Sequence, residues 1–169
     1  MTDIGIFYGT NQGNTRRVAE RVRLALGEPP ADLIDAADAH PSDLERFGAL
    51  VLGTSTWGVG ELVDAWEAFV PLLDEVDLTG KRVALFGLGD QATHAESFAD
   101  ALGVLHDAVA ARGADIVGAW PAEGYDFVDS MALRDGRFVG LVIDETSQPE
   151  LTGSRIDRWV ERIRGDLGR

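Results

Sequence analysis

The chain has 169 residues, a length typical of one domain, and its 45% hydrophobic and 26% charged residues match a soluble globular protein. Cysteine is absent, which excludes disulfides, thiolate metal sites and cysteine nucleophiles, and no apolar run has membrane-spanning length. The net charge of −14 disfavours nucleic acid and anionic membranes as partners and favours a protein with a basic surface. We therefore expect a cytoplasmic protein with a single domain over residues 1–169.

The first element is an apolar run, Ile4 to Tyr8, followed by a polar loop and by apolar residues at helical spacing from Val18 to Leu26. This order predicts a buried strand, a tight turn and a helix. Backbone N–H groups at the start of that helix, with the loop's hydroxyl and amide side chains, would form an anion site. The loop residues are Gly9, Thr10, Asn11, Gln12, Gly13, Asn14 and Thr15.

The first loop differs from both common phosphate loops. It lacks the Gly-Lys-Ser/Thr ending of nucleoside-triphosphate loops and the three glycines of the dinucleotide fingerprint. With no cation in the loop itself, a terminal monophosphate is the favoured ligand. The alternative is an ordinary strand-to-helix turn that binds nothing.

The rest of the chain continues the alternation of strands and helices. Predicted strands lie at 31–34, 49–52, 83–86 and 116–120, and the last of them resumes at 139–143 after an interruption at 121–138. Ser42 to Glu45 fits a capping box that opens a second helix, and further helices bury Leu62 to Leu73, Phe98 to Val109 and Ile156 to Ile163. The pattern predicts an α/β fold, a doubly wound five-stranded parallel sheet with helices on both faces.

The loops after strands one, three and four meet at the carboxyl edge of such a sheet, where ligands bind. In the second loop, Thr54 to Gly60, Trp57 stands among small residues and is predicted to cover a flat ring. A tryptophan packed on its own loop is the alternative. The third loop, Leu88 to His94, brings a second planar side chain, His94, for which a solvated loop histidine is the alternative.

Taken together, these segments resemble a long-chain flavodoxin over essentially the whole chain. The motifs are Phe7-Tyr8-Gly9-Thr10 with Gly13-Asn14-Thr15, Thr56-Trp57 with Gly60-Glu61, Phe86-Gly87 with Gly89-Asp90-Gln91, and Gly124-Tyr125 with Asp129-Ser130. The resemblance implies sheet order 2-1-3-4-5, with the long-chain insertion at about 121–138 in strand five. It also implies a low-potential one-electron carrier with non-covalently bound FMN, shuttling between semiquinone and hydroquinone, with no catalytic residues and no metal.

By position, the resemblance assigns the phosphate to Thr10 through Thr15 with Thr56, and one flavin face to Trp57. Backbone groups of Trp57, Gly58, Val59, Gly89, Asp90 and Gln91 would bond the ring edge. The predicted site is completed by Thr54, Ser55, Gly60, Leu88, His94 and Ser97.

Two features of the predicted site would affect the two one-electron reduction potentials of a bound flavin. Nearby acids disfavour a second electron, since like charge opposes the anionic reduced flavin. A peptide flip at Gly58 would present a carbonyl to flavin N5, so Gly58→Ala or Gly58→Val should make the first reduction less favourable. Candidate acids are Glu61, Asp64, Glu67, Asp90, Asp126, Asp129, Asp144 and Glu145.

The chain departs from the usual flavodoxin pattern at four positions. Gln12 replaces a common threonine, Ser97 a frequent asparagine, and Thr146 a frequent aspartate. His94 stands where a tyrosine coplanar with the flavin is usual. A protonated His94 would stabilise the anionic reduced flavin, so we expect a less negative second potential than in a His94→Tyr variant.

The same topology is compatible with two other functions. An FMN-dependent NAD(P)H:quinone reductase stays open as the alternative. A phosphoacceptor signalling domain is excluded, because the acids that it needs are replaced by Tyr8-Gly9 and Gly53-Thr54. The resemblance suggests a monomer that exchanges electrons with redox proteins that have basic docking surfaces. One partner would be a ferredoxin/flavodoxin–NADP reductase, and the other a nitrogenase iron protein, pyruvate oxidoreductase or cytochrome P450.

Overall fold

The computed structural model describes residues 2–169. Its strands are β1 (Ile4–Gly9), β2 (Asp32–Asp35), β3 (Ala49–Trp57), β4 (Glu61–Leu62), β5 (Arg82–Leu88), β6 (Asp115–Val117), β7 (Trp120–Pro121), β8 (Leu133–Arg134), β9 (Arg137–Phe138) and β10 (Leu141–Ile143). Its α-helices are α1 (Asn14–Leu26), α2 (Asp64–Phe69), α3 (Asp100–Ala110) and α4 (Thr152–Ile163). Short 3-10 helices lie at Ala36–Asp38, Pro41–Arg46, Val70–Glu75 and Pro149–Leu151.

The central sheet is parallel, in the order β2-β1-β3-β5-β10. In order of strand position this is 2-1-3-4-5, so the predicted topology is confirmed. The fifth position is divided between two short strands, since β6 pairs with β5 from Arg82 and β10 pairs with β5 from Phe86. The residues between these two strands leave the sheet.

The central strands are buried on both faces. All six residues of β1 and the first six of β3 are buried, which explains why both read as continuous apolar runs instead of alternating patterns. Helix α1 packs with α4, whereas α3 packs with β3 and β5. Across residues 2–169, no helix combines the length and hydropathy needed to cross a bilayer.

Trp66 fixes the exits of the two strands that lead into the first and second loops. Its side chain is fully buried, and its Nε1 donates a hydrogen bond to the Gly53 carbonyl at 2.8 Å. At Gly9 the indole lies so close that an added Cβ would meet Trp66 Cδ1 at 2.4 Å. The glycine at the end of β1 is therefore required for space.

The segment between β6 and β10 contains a small antiparallel sheet, in the order β7-β9-β8, and it contacts the residues that follow the third loop. Val128 N–H donates to the Ala95 carbonyl at 2.8 Å, and Phe98 N–H donates to the Asp129 carbonyl at 3.2 Å. Tyr125 packs against Phe98 with ring centroids 5.9 Å apart, and burial raises the pKa of Tyr125 to about 12. The insertion thus holds the segment between the third loop and α3.

Three local expectations were wrong. The fourth predicted helix does not include Phe98, because it begins at Asp100 after Ala99, which has a φ of +53°. The second helix is a 3-10 helix capped by His40 instead of Ser42, since Ser42 N–H donates to His40 Nδ1 and His40 N–H donates to Asp43 Oδ2. The third helix begins only at Asp64, because Leu62 belongs to β4 and pairs with Thr56 in an antiparallel ladder.

Candidate functional site

A cavity of about 550 Å³ opens at the carboxyl ends of β1, β3 and β5, a size typical of small-molecule and cofactor sites. The three predicted loops meet there. The predicted site residues on its wall are Thr10, Asn11, Gln12, Asn14, Ser55, Thr56, Trp57, Gly58, Val59, Leu88, Gly89, Asp90, His94 and Ser97.

The first loop is a tight turn that leaves hydrogen-bond donors unused. Gly13 has a φ of +86°, and its N–H donates to Thr10 Oγ1 at 2.8 Å. No side chain caps α1, and its first turn has no acidic residue. Thr15 is fully buried, yet its Oγ1 has no hydrogen-bond partner within residues 2–169. An uncapped helix start beside an unsatisfied buried hydroxyl suits an anion.

Thr54 and Gly60 lie at the two ends of the second loop and do not line the cavity. Thr54 is fully buried in β3, and its hydroxyl donates to the Ser55 carbonyl at 2.8 Å. Gly60 has a φ of +81°, and a Cβ there would lie 2.7 Å from Asp100 Oδ2. Burial raises the pKa of the Asp100 carboxyl. Thr54 and Gly60 therefore shape the second loop. Gly13 and Thr15 do not line the cavity either, but they flank Asn14, which does.

The middle of the second loop faces the cavity. Trp57 remains 46% exposed there, and it pairs with Glu61 across the turn between β3 and β4. Gly58 has a φ of +53°. Thr56 Oγ1 accepts the Ala101 N–H at 3.3 Å, which leaves the threonine proton for donation elsewhere. The indole thus has a free side where a flat ligand could stack.

Asp90 places a negative charge in the third loop. Burial acts to raise its pKa, but hydrogen bonds from Thr93, Ala92 and Ser147 outweigh burial and hold the pKa of Asp90 below its ordinary value. The carboxyl is therefore ionised at neutral pH. His94 lies on the same wall and is exposed.

Asp144 joins the third loop to the loop after β10. It is fully buried, and its Oδ2 accepts the Gln91 N–H at 3.0 Å. Its Oδ1 accepts the N–H groups of Thr146 at 3.1 Å and Ser147 at 2.8 Å. One carboxylate therefore positions two stretches of the cavity wall.

Three lining residues were not assigned to the site from the sequence: Ala99, Glu145 and Thr146. Glu145 was considered as one nearby acid among several, and Thr146 as a departure from a family pattern. Ala99 carries no sequence signal, since alanine rarely adopts the left-handed conformation that it has here, with a φ of +53°.

The two ends of the cavity differ in charge. The first loop supplies uncharged donors and an uncapped helix start, whereas Asp90 and Glu145 line the far side. Within residues 2–169, no cluster of His, Asp or Glu suited to a metal ion occurs. The arrangement fits a ligand with an anionic group at one end and a flat ring at the other.

Comparison with known proteins identifies the family. The family model described as Flavodoxin matches residues 6–159. The chain belongs to the flavodoxin family. The flavodoxin of a Synechocystis species is 46% identical over 165 residues, covering 97% of each chain. Flavodoxin 1 of Escherichia coli K12 is 48% identical over 168 residues, covering 99% of this chain and 96% of that one.

A solved structure gives the same result for the flavodoxin fold. The Fusobacterium nucleatum flavodoxin bound to flavin mononucleotide superposes with a TM-score of 0.93 at 34% identity, covering 98% of this chain and 99% of that one. In this chain, all four departures from the family pattern lie on the cavity wall: Gln12, His94, Ser97 and Thr146.

Proposed function

We propose that this chain is a one-electron carrier that binds one FMN non-covalently between its three loops and converts no substrate. The observation that carries the proposal is the cavity itself, with unused donors at one end and Trp57 at the other. Membership in the flavodoxin family supports it, because flavodoxins are electron-transfer proteins and not enzymes.

The first loop fits a phosphate monoester. The buried Thr15 hydroxyl lacks a partner within the described chain, and the N–H groups that open α1 have no side-chain cap. Phosphate oxygens accept several hydrogen bonds, so they would satisfy both the hydroxyl and the N–H groups. The proposed phosphate ligands are Thr10, Asn11, Gln12, Gly13, Asn14, Thr15 and Thr56.

The opposite end of the cavity fits the flavin ring, whose one-electron redox chemistry the bound cofactor would supply. Trp57 would cover one face, and His94 lies on the wall of the third loop. Backbone groups of the second and third loops would bond the ring edge. Asp90 and Glu145 keep negative charge nearby, which opposes additional negative charge on the ligand and lowers its potential.

The proposed partners are redox proteins with basic docking surfaces. The net charge of −14 favours encounter with such proteins, and Trp57 and Val59 expose apolar surface at the cavity mouth. Specific candidates are a ferredoxin/flavodoxin–NADP reductase as one partner and a nitrogenase iron protein, pyruvate oxidoreductase or P450 as the other. We propose a cytoplasmic monomer, which cell fractionation and light scattering would test.

Anaerobic reduction in small steps tests the function. The FMN-loaded protein should develop a long-wavelength absorption band at half reduction and lose it at full reduction, without oxidising NAD(P)H directly. Bleaching in one two-electron step, together with rapid NAD(P)H consumption, would instead identify an NAD(P)H:quinone reductase. Apoprotein mixed with NAD(P)H is the control.

A further inference from the structure

Arg17 adds a cation beside the first loop, which contains none of its own. It lies in the first turn of α1, and its Nη2 donates to Asn14 Oδ1. Its Nη1 is 3.8 Å from the position that a Cβ on Gly13 would take. Arg17 does not line the cavity itself, but its partner Asn14 does, at the end where the phosphate is proposed to bind.

The charge of Arg17 is not neutralised by a neighbouring acid. Within residues 2–169 it forms no ion pair, and the first turn of α1 has no acidic residue. The adjacent Arg16 differs, because its Nε lies 3.3 Å from Glu20 Oε1. In a chain with a net charge of −14, an unpaired cation beside a polar loop is available to an anion.

Arg17 also fixes the orientation of the Asn14 amide. A guanidinium group only donates hydrogen bonds, so the atom of Asn14 that faces it must be the carbonyl oxygen. The amide Nδ2 is left without that contact and keeps its two protons for donation. Asn14 is thereby held as a donor on the cavity wall.

We propose that Arg17 is a phosphate-binding residue that acts in two ways, by offsetting the charge of a phosphate monoester and by holding Asn14 as a donor. The inference rests on the proposed function, in which the cavity binds FMN with its phosphate at the first loop. It assigns part of the affinity for the phosphate to a side chain outside the loop.

Flavin titrations of the apoprotein test the proposal. FMN and riboflavin differ by the phosphate, so a phosphate-binding residue should affect only FMN. We expect Arg17→Gln to raise the Kd for FMN about three- to tenfold, the range for one exposed charge contact with an added hydrogen bond. The Kd for riboflavin should not change, and the salt dependence of FMN binding should weaken.

Two variants separate the charge from other effects. Arg16→Gln removes the same charge one position away, and we expect less than a twofold change in the Kd for FMN, because Arg16 is already paired with Glu20. Arg17→Lys keeps the charge and loses the planar fork, so its Kd should lie between those of the wild type and Arg17→Gln.

The outcomes distinguish the inference from the proposed function. A wild-type protein that binds neither flavin contradicts the proposed function itself. Tight FMN binding that is unchanged in Arg17→Gln, or equal effects of Arg16→Gln and Arg17→Gln, would contradict only the role of Arg17. An equal loss of FMN and riboflavin binding would overturn it as well, because the substitution would then act through the shape of the loop.

Discussion

Gly58 and Gly60 both have positive φ in the second loop, but an added side chain would meet different surroundings at each position. A Cβ at Gly60 would collide with Asp100 Oδ2 at 2.7 Å, so that glycine is required for space. A Cβ at Gly58 would make ordinary contact with Glu61 Cδ at 3.5 Å. At Gly58, glycine is therefore required only by the φ of +53°, because the surrounding space would accept a Cβ.

We expect Gly58→Ala to make the first one-electron reduction potential of the FMN-loaded protein more negative. In the proposed site, a carbonyl of this loop would accept a hydrogen bond from the N–H group that forms at flavin N5, and a Cβ penalises the positive-φ conformations available to the peptide. The free energy of unfolding should fall by about 1 kcal/mol. Potentiometric titration measures the first effect and urea denaturation the second.

Gly80→Ala is the matched control for this prediction. Gly80 has a φ of +77° with nothing within 4 Å of an added Cβ, and it lies outside the cavity wall. It should lose similar stability without a change in potential. An unchanged first potential in Gly58→Ala would refute the proposed role of Gly58.

Single residues mark the limit of what the sequence predicts. Trp57 and His94 were recognised because planar side chains in glycine-rich loops are unusual, and both lie on the cavity wall. The stacking of His94 on the flavin stays a prediction. Ala99 could not be found, because nothing in the local sequence marks an alanine that adopts the left-handed conformation.

At the scale of elements, the loop after β10 and the third loop depend on one buried carboxylate. Asp144 accepts three backbone N–H groups from Gln91, Thr146 and Ser147. Neither loop has regular secondary structure of its own at these positions. This side chain therefore links the two loops, together with the hydrogen bond from Ser147 Oγ to Asp90 Oδ1.

We expect Asp144→Ala to lower the free energy of unfolding of the apoprotein by about 2–4 kcal/mol, since it leaves three backbone donors without their acceptor. FMN affinity should fall as well, because Gln91 and Thr146 lose their common acceptor, and Asp90, next to Gln91, and Thr146 lie on the cavity wall. Asp144→Asn keeps one acceptor oxygen and should lose less. Urea denaturation and FMN titration measure the two effects.

Asp77→Ala provides the comparison for Asp144→Ala. Asp77 also accepts local hydrogen bonds, from the N–H and the hydroxyl of Thr79, but it is exposed and outside the cavity wall. It should change stability little and FMN affinity not at all. If Asp144→Ala lost stability but bound FMN as the wild type does, the carboxylate would not position the cavity.

Elements with a strong hydrophobic period were predictable, and those defined by pairing were not. The runs in β1, β3 and β5 are apolar because both sheet faces are covered, so the strand order followed from the alternation and the family resemblance. The hairpin that contains β4 was missed, because Leu62 also fits a helical spacing. Its pairing with Thr56 is a tertiary contact that local sequence does not encode.

At the scale of the whole molecule, negative charge is distributed over both ends of the sheet. Glu61 is exposed beside the second loop, near the cavity mouth. Glu161 is exposed near the end of α4, which runs back from the carboxyl edge of the sheet toward the opposite edge. The two carboxylates therefore lie at opposite ends of the molecule, and docking at the cavity mouth should distinguish them.

We expect the rate of electron transfer to a basic c-type cytochrome to fall by about tenfold or more as ionic strength rises from about 0.01 to 0.5 M, because salt screens the attraction. Glu61→Gln should lower the rate at low salt and flatten its salt dependence. Glu161→Gln removes the same charge at the far end and should have a much smaller effect. Stopped-flow mixing measures both variants, and equal effects would mean that net charge, not a docking face at the cavity mouth, governs encounter.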